Sequence, residues 1–407
     1  MTQRCILHLD GDGFFAGCEM AVNPKLKGRA VVVGAEKGIV TALSYEAKAL
    51  GIARGMATFQ IRKDFPEAVV LPGNYRLYRE LSKRMNAIVS RYAHRVEPYS
   101  IDECFADITG IPERFGKTPE SFGRMVQKVL LSELNVSFSM GIGSTKVRAK
   151  TASKLEKPFG CSVFELRKNQ NSLMALPVGS LWGIGKSSAM ALNALGIWTV
   201  GDFMAKERFF INNFFNKQVC ELWSELKGES LYDISAKRES PQSVSHTRTF
   251  TPASGSLKTL CRELTCHAEA VAFRLRMQGL AAQEYSFFVK TKSFEYKTFK
   301  VSFVSPTHDD HEIVPEILRC LRNAIVPGGM YRATGVTALG VVPSIAVSGN
   351  MFAREVNSKA LYGAFDRILR RYGSSAIMLA SGMHPQRKAK KKFEELHFSI
   401  PCIGYVD

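Results

Sequence analysis

The chain has 407 residues, with 55 Lys and Arg against 37 Asp and Glu, a formal net charge of +18. A 45 % hydrophobic fraction and a mean hydropathy of −0.06 exclude a disordered chain, and the length suits two to four domains of about 100–200 residues each. No apolar run approaches the ~18 residues of a membrane-spanning helix, and the opening MTQRCILHLD has no signal-peptide pattern, so neither secretion nor membrane insertion is expected. The nine scattered cysteines fit a reducing, cytoplasmic compartment with buried thiols rather than a paired zinc site. A pI near 9.5 directs attention to a polyanionic partner, either nucleic acid or an acidic membrane surface.

In chain order, Arg4–Leu9 reads as a buried strand that ends on Asp10. Strands follow at Val31–Gly34 and Val40–Leu43, then a short helix over Tyr45–Leu50 stopped by Gly51. Residues 75–92 carry Leu77, Leu81, Met85, Ile88, Val89 and Tyr92 at helical spacing. Val96–Asp107 reads as extended, Pro119–Glu133 as a helix, Phe138–Ile142 as a strand and Lys146–Leu155 as a basic helix. Residues 174–238 read as short helices with Gly-rich turns, and 239–243 as a linker. Strand and helix then alternate as Val244–Phe250, Thr259–Met277, Tyr285–Thr291, Thr298–Phe303, His311–Ala324 and Thr334–Val341. That β-α-β-β-α-β order suits a two-layer domain. A helix over Ala360–Tyr372 precedes a tail with the basic run 387–392.

Two acidic clusters carry the chemistry. One is Asp10-Gly11-Asp12-Gly13-Phe14-Phe15; the other runs from Ser100 through Asp102 and Glu103 to Asp107. Neighbouring strands lie about 5 Å apart, so paired strands can bring Asp10 to the Asp102/Glu103 couple. Such carboxylates repel unless cations compensate them, and Mg²⁺ favours all-oxygen sites of this kind. Strand alternation, however, sends Asp102 and Glu103 to opposite faces unless the strand bends or ends there. Asp12 and Asp107 read as turn or cap residues. A lone DxD also occurs in phosphatases and metal-dependent glycosyltransferases, so the cluster by itself leaves those readings open.

Four segments in this order, HLDGDGFFAGCE, SYEAKALGI, YSIDECFADIT and MGIGSTKVRAKTASKLEKPFG, resemble the Y-family translesion DNA polymerases, and within them the bacterial polymerase IV branch. The likeness runs over roughly residues 5–345. It implies an α+β multidomain, right-hand-like polymerase. Its palm would be residues 1–20 and 76–170, small fingers 21–75, a helical helix-hairpin-helix thumb 171–238, and a β-α-β-β-α-β little finger 244–345, with residues 346–407 as a C-terminal helix and basic tail. It implies two Mg²⁺ ions held by Asp10, Asp102 and Glu103, with the Gly11 carbonyl on the nucleotide-associated ion. Phe15 matches the steric gate against a ribose 2′-hydroxyl. Phe14, its neighbour, is a candidate nucleotide contact, although core packing is the simpler role for its ring. Tyr45, Lys48 and Lys157 match triphosphate-binding positions. Lys48 replaces the usual Arg and so loses a planar fork, Gly13 stands where larger residues are common, and Ala57 stands where Pro is usual.

Gly183, Gly185 and Lys186 form a GxG turn into a helix, which can hold a phosphate by its N–H groups. Arg248, Lys290, Lys292, Lys297, Lys300 and Arg332 are candidates to line a DNA-facing sheet. The implied partners are primer–template DNA and deoxynucleoside triphosphates, with no membrane. A monomer is expected, nucleoid-associated if bacterial. A sliding clamp is a candidate partner, though Ser348–Phe352 is at best a degenerate clamp peptide. The implied activity is low-fidelity, template-directed DNA synthesis. The competing readings are a catalytically inactive polymerase-like accessory protein and a plain DNA-binding protein.

Overall fold

A computed structural model describes residues 4–36, 38–165, 167–235, 240–325, 328–344, 358–373 and 376–383. The chain divides into two compact units, one up to Arg238 and a second from Glu239 to His397. No helix among the described residues is long and apolar enough to cross a membrane.

The first unit begins with β1 (Ile6–Gly11), α1 (Phe14–Val22), β2 (Val31–Gly34), β3 (Val40–Leu43), α2 (Tyr45–Ala49), α3 (Thr58–Asp64) and β4 (Val69–Leu71). It continues with α4 (Tyr75–Ser90), β5 (Arg95–Pro98), β6 (Glu103–Asp107), α5 (Ile111–Arg114), α6 (Pro119–Leu134), β7 (Phe138–Gly143), α7 (Lys146–Ala152) and β8 (Cys161–Val163). Helices α8 (Arg167–Met174), α9 (Lys186–Ala194), α10 (Val200–Ala205), α11 (Arg208–Phe214) and α12 (Lys217–Lys227) complete it.

A five-stranded sheet, in the order β5-β6-β1-β7-β8, positions the site. Strand β1 is central and antiparallel to both neighbours, which explains its unbroken apolar run. Helices α4 and α6 cover this sheet by the faces their spacing marks out: Leu77, Leu81, Met85, Ile88 and Val89 are buried, as are Phe122, Val126 and Leu130. Each such side chain contributes roughly 1.5–3 kcal/mol of burial. A smaller three-stranded sheet, β3-β2-β4, encloses its own core with Ala47 and Ile61 of α2 and α3. The helices from α8 onward pack around Phe203, Leu222 and Trp223. The three-residue strands β4 and β8 pair in parallel and lie in segments where the sequence shows no strand pattern.

The expected extended run Val96–Asp107 is broken. Residues 99–102 form a turn in which Tyr99 N and Ser100 N both donate to Glu103 O, at 3.0 and 3.1 Å. Glu103 therefore opens β6 while Asp102 stays in the turn, and the alternation that separated them no longer applies. Gly13 caps α1 at φ 58. A Cβ built there would lie 2.7 Å from Leu43 O, so the larger residue common at this position has no room beside β3.

The second unit contains β9 (Ser243–Ser254), α13 (Leu257–Met277), β10 (Leu280–Thr291), β11 (Tyr296–Thr307), α14 (Asp310–Ala324), β12 (Tyr331–Pro343) and α15 (Ser358–Tyr372). The element order is the one the sequence indicates, with longer strands; Ser243, read as linker, already belongs to β9. The antiparallel sheet runs β11-β10-β12-β9, and its inner face, including Tyr285, Phe287, Val289 and Val336, packs with residues of α13 and α14.

Helix α15 docks on this helical layer. Buried Arg276 of α13 lies between Asp366 of α15, at 3.0 Å, and Asp310 of α14, at 3.3 Å. Its guanidinium also covers the Tyr362 ring at 4.4 Å. Burial pushes the Asp310 carboxyl from 3.8 up to about 7, with Arg276 opposing, and Asp310 Oδ1 has no hydrogen-bond partner among the described residues. The folded chain thus keeps a proton that the unfolded chain has released. Stability is expected to fall as pH rises from about 4 to about 7 and then level off. Asp310→Asn should flatten that part of the profile, as read by calorimetry of the full chain across pH.

Candidate active site

The register pairs Asp10 with Glu103 across β1 and β6. The next backbone link, Gly11 N to Asp102 O at 3.0 Å, fastens the turn beside them. The three expected carboxylate residues are thus gathered at one end of the sheet. Ser100 Oγ donates to Asp102 Oδ1 at 2.6 Å and accepts from Asp102 N at 3.2 Å, which fixes that side chain.

Lysines compensate the negative charge. Lys157 Nζ lies 2.6 Å from Asp10 Oδ1, and Lys150 Nζ donates to Glu103 Oε1 at 2.9 Å. Lys146, one turn before Lys150 on α7, donates to Glu97 Oε2 at 2.6 Å. Burial pushes the Glu103 carboxyl upward; Lys150 opposes this, and Asp10 and Asp102 add to it. Behind Glu103 lies buried His8, its Nε2 4.0 Å from Glu103 Oε1. Ser153 Oγ donates to Lys150 O, so it accepts from His8 Nδ1–H at 2.9 Å. His8 is neutral: burial and the neighbouring Lys150 hold its pKa well below the usual range.

Asp12 lies in the turn between β1 and α1, as expected, but its side chain caps no helix. It is buried, accepting from Ser139 Oγ at 2.7 Å and from Phe159 N at 2.9 Å. It ties the segment carrying Lys157 to the sheet and has both oxygens engaged. Asp107 does act locally, accepting from Thr109 N at 3.0 Å.

Phe14 is 2 % exposed and belongs to the core, so its ring is not available to a nucleotide. Phe15 faces the other way. It stacks on Tyr78, with centroids 4.3 Å apart and planes at 11°, and meets Tyr75 edge-on at 5.6 Å. Tyr78 is held by its hydroxyl, which donates to Glu19 Oε1 at 2.7 Å. Lys48 Nζ sits 4.0 Å over the Tyr45 ring, as their one-turn spacing implies. Burial, with Asp12 and Asp10, pushes the Tyr45 phenol up to about 12. The Lys48 ammonium is pushed down by burial, then by Arg54 and Lys157. Tyr45, Lys48, Arg54 and Lys157 therefore share one electrostatic neighbourhood with Asp10. Arg54 was missed in the sequence, where it looks like a surface charge.

The hairpin 181–186 is exposed at Gly183, Gly185 and Lys186, and Gly185 caps α9. Its Trp182 was also missed as a functional residue. Trp182 Nε1 donates to Tyr99 Oη at 2.7 Å, and Lys150 Nζ lies 4.4 Å over the Tyr99 ring. The hairpin is thereby fastened to the turn that carries Asp102.

In the second unit, the basic residues do not share one sheet face. Arg248 pairs with Thr334, which in turn pairs with Val289 of the core. Thr334 Oγ1 meets buried His267 Nε2 at 3.1 Å, so alternation puts Arg248 on the helix side, and Lys297, opposite Val289, joins it there. Lys290 and Lys300 lie on the open side, while Lys292 follows β10 in the turn. Ser348–Phe352 and Arg387 lie outside the described residues.

The Asp10, Asp102 and Glu103 donor set is all oxygen, with ammonium groups already facing two of its members, so it fits hard divalent cations. Among the described residues, a tighter three-donor cluster, with atoms within 4.8 Å, is Asp309, His311 and Glu312 at the start of α14. It belongs to the second unit.

A mixed fold with carboxylates on the central strands, an aromatic floor and a cationic rim defines a polymerase-type nucleotidyltransferase. The comparisons agree. Residues 9–154 match the impB/mucB/samB family model and residues 241–351 its C-terminal domain, and the chain belongs to that family. It is 31 % identical to DNA polymerase IV of Desulfatibacillum aliphaticivorans, over 93 % of this chain and 96 % of that protein. Among solved structures it is similar to a Y-family DNA polymerase chimera built on Dbh, with 20 % identity, 83 % of this chain and 99 % of that one covered, and a TM-score of 0.70. An insertion ternary complex of Dbh DNA polymerase is similar over the same shares at 21 % identity, with a TM-score of 0.55.

Asp12→Ala should orphan the Phe159 N–H and Ser139 hydroxyl, costing about 1–3 kcal/mol of stability. It should also raise the KM for nucleotide more than it lowers kcat, since Lys157 loses its anchor; steady-state kinetics beside thermal melting would show this.

Proposed function

We infer that the chain is a template-directed DNA polymerase that extends a primer 3′ end with deoxynucleotides and synthesises past damaged template bases. The observation that carries the reading is the register of Asp10 against Glu103, with Asp102 in the adjoining turn and Lys157 on Asp10. Membership of the family and the polymerase IV relatives support it. An accessory protein without activity would have no need of that charge-compensated carboxylate set.

Asp10, Asp102, Glu103 and the Gly11 carbonyl would hold two Mg²⁺ ions. When bound, these supply activation of the primer hydroxyl and charge neutralisation at the departing pyrophosphate. The chain's own residues do the positioning. Tyr45, Lys48 and Lys157 receive the triphosphate, and Arg54 offers the guanidinium fork that Lys48 lacks. Lys150 holds Glu103 in place, and neutral His8 keeps a second positive charge away from it. Phe15, locked between Tyr75 and Tyr78, forms a rigid floor under the sugar and excludes a 2′-hydroxyl by contact. Exposed N–H groups at Gly185 and Lys186 grip a DNA phosphate irrespective of sequence.

With Mg²⁺ and primer–template, Asp102→Ala is expected to lose extension while binding DNA as the parent does. Equal extension by both proteins would refute the site. Phe15→Ala is expected to raise ribonucleotide use relative to deoxyribonucleotide by at least about tenfold, since removing the ring removes a direct steric clash; single-nucleotide insertion kinetics provide the measure.

A further inference from the structure

Lys150 lies where two kinds of partner meet. Its Nζ donates to Glu103 Oε1 at 2.9 Å. The same Nζ lies over the Tyr99 ring, 4.4 Å from its centroid, and 5.8 Å from that of Trp182. The side chain is only 10 % exposed, so an ammonium released by Glu103 would stay inside the protein. The lysines four residues away on either side offer it no anion: Lys146 donates to Glu97 at 2.6 Å, and Lys154 donates to Ser180 O.

The two rings form a rigid seat for that charge. Trp182 Nε1 donates to Tyr99 Oη at 2.7 Å, and the rings meet edge to face, with centroids 5.4 Å apart and planes at 86°. Phe105 packs against both, at 5.6 and 5.7 Å. Tyr99 is further held by its N–H on Glu103 O at 3.0 Å, and Trp182 by the Tyr232 ring at 5.8 Å. Ring faces attract an ammonium, most strongly where water is excluded.

One carboxylate cannot serve an ammonium and a divalent cation equally, because the two cations repel each other at short range. Lys157, the counterpart on Asp10, has the triphosphate to pass to in the proposed function. Lys150 has no phosphate there, but the rings are already within reach. We propose that Lys150 has two seats: it neutralises Glu103 while the carboxylates hold no cation, and passes to the Tyr99–Trp182 ring pair when a divalent cation occupies them. Lys150 and the two rings are then positioning residues for the metal rather than its ligands. The proposal rests on the polymerase reading, in which Asp10, Asp102 and Glu103 take divalent cations. Because Trp182 belongs to the hairpin 181–186, metal affinity then depends on where that hairpin sits.

The test measures Mn²⁺ binding to the full chain, without DNA or nucleotide, from the electron paramagnetic resonance signal of the free ion. Asp102→Ala should bind Mn²⁺ at least about tenfold more weakly than the parent, which locates the ion. Lys150→Met removes the competing ammonium and should bind more tightly than the parent. Trp182→Leu and Tyr99→Leu each take away part of the seat, and each should weaken Mn²⁺ binding about threefold. In the Lys150→Met background no ammonium needs a seat, so the same ring substitutions should leave the affinity within about twofold of Lys150→Met alone. A merely structural role would weaken binding in both backgrounds alike. Thermal melting confirms the fold of each variant, and Tyr99, 43 % exposed, gives the second route should Trp182→Leu fail to fold. The proposal is overturned if the ring substitutions weaken Mn²⁺ binding equally with and without Lys150, if they weaken it in neither, or if Lys150→Met binds no more tightly than the parent. Equal binding by the parent and Asp102→Ala would instead overturn the site reading itself, and the proposal with it.

Discussion

Like charges brought together at the end of a sheet must be compensated, and here two ammonium groups from one stretch of chain do it. Lys150 and Lys157 both follow β7, and they meet Glu103 and Asp10 at 2.9 and 2.6 Å. The fold around them serves this balance. Asp12 anchors the segment that delivers Lys157, Ser153 fixes the ring of His8 next to Lys150, and Tyr99 lies under the Lys150 ammonium. A chain that placed Asp10 beside Glu103 without these partners would pay for the repulsion in stability. In the proposed function, the same ammonium groups would stand close to the incoming triphosphate.

The polar contacts spread outward from that centre. Trp182 of the hairpin touches Tyr99, and Tyr99 touches Lys150, so the hairpin and the candidate carboxylate Glu103 share one side-chain sequence. Similarly, Glu19 fixes Tyr78 and Tyr78 fixes Phe15. In both cases a residue of the candidate site is held by a ring that is in turn held by a hydrogen bond, which limits rotamer freedom.

Much of this was legible in the sequence, and for definite reasons. A short apolar run ending in Asp10 reads as a buried strand with its carboxylate at the rim, and Tyr45 and Lys48 meet because they are one turn apart. The β-α-β-β-α-β order emerged from alternating periodicities. Other features were hidden. Nothing in YSIDE announces a turn at residues 99–102, because the bond that makes it runs through backbone atoms. Lys146 and Lys150 have the spacing of an ordinary solvated face, and their burial depends on β5 and β6, far away in sequence. Arg248 looks like any strand cation until the pairing with Thr334 assigns its side. Strands of three residues, such as β4 and β8, are too short to show a period.

Helix α15 bears on how such chains can be cut and recombined. The family's C-terminal domain model stops at residue 351, yet Asp366 completes the pairing of Arg276, and Leu379 N donates to Glu269 Oε1 at 2.6 Å. The unit that folds therefore reaches beyond the unit that is recognised. A graft of this module trimmed at residue 351 would carry a guanidinium in its interior answered by the His308 carbonyl and by Asp310, a carboxyl inclined to stay protonated.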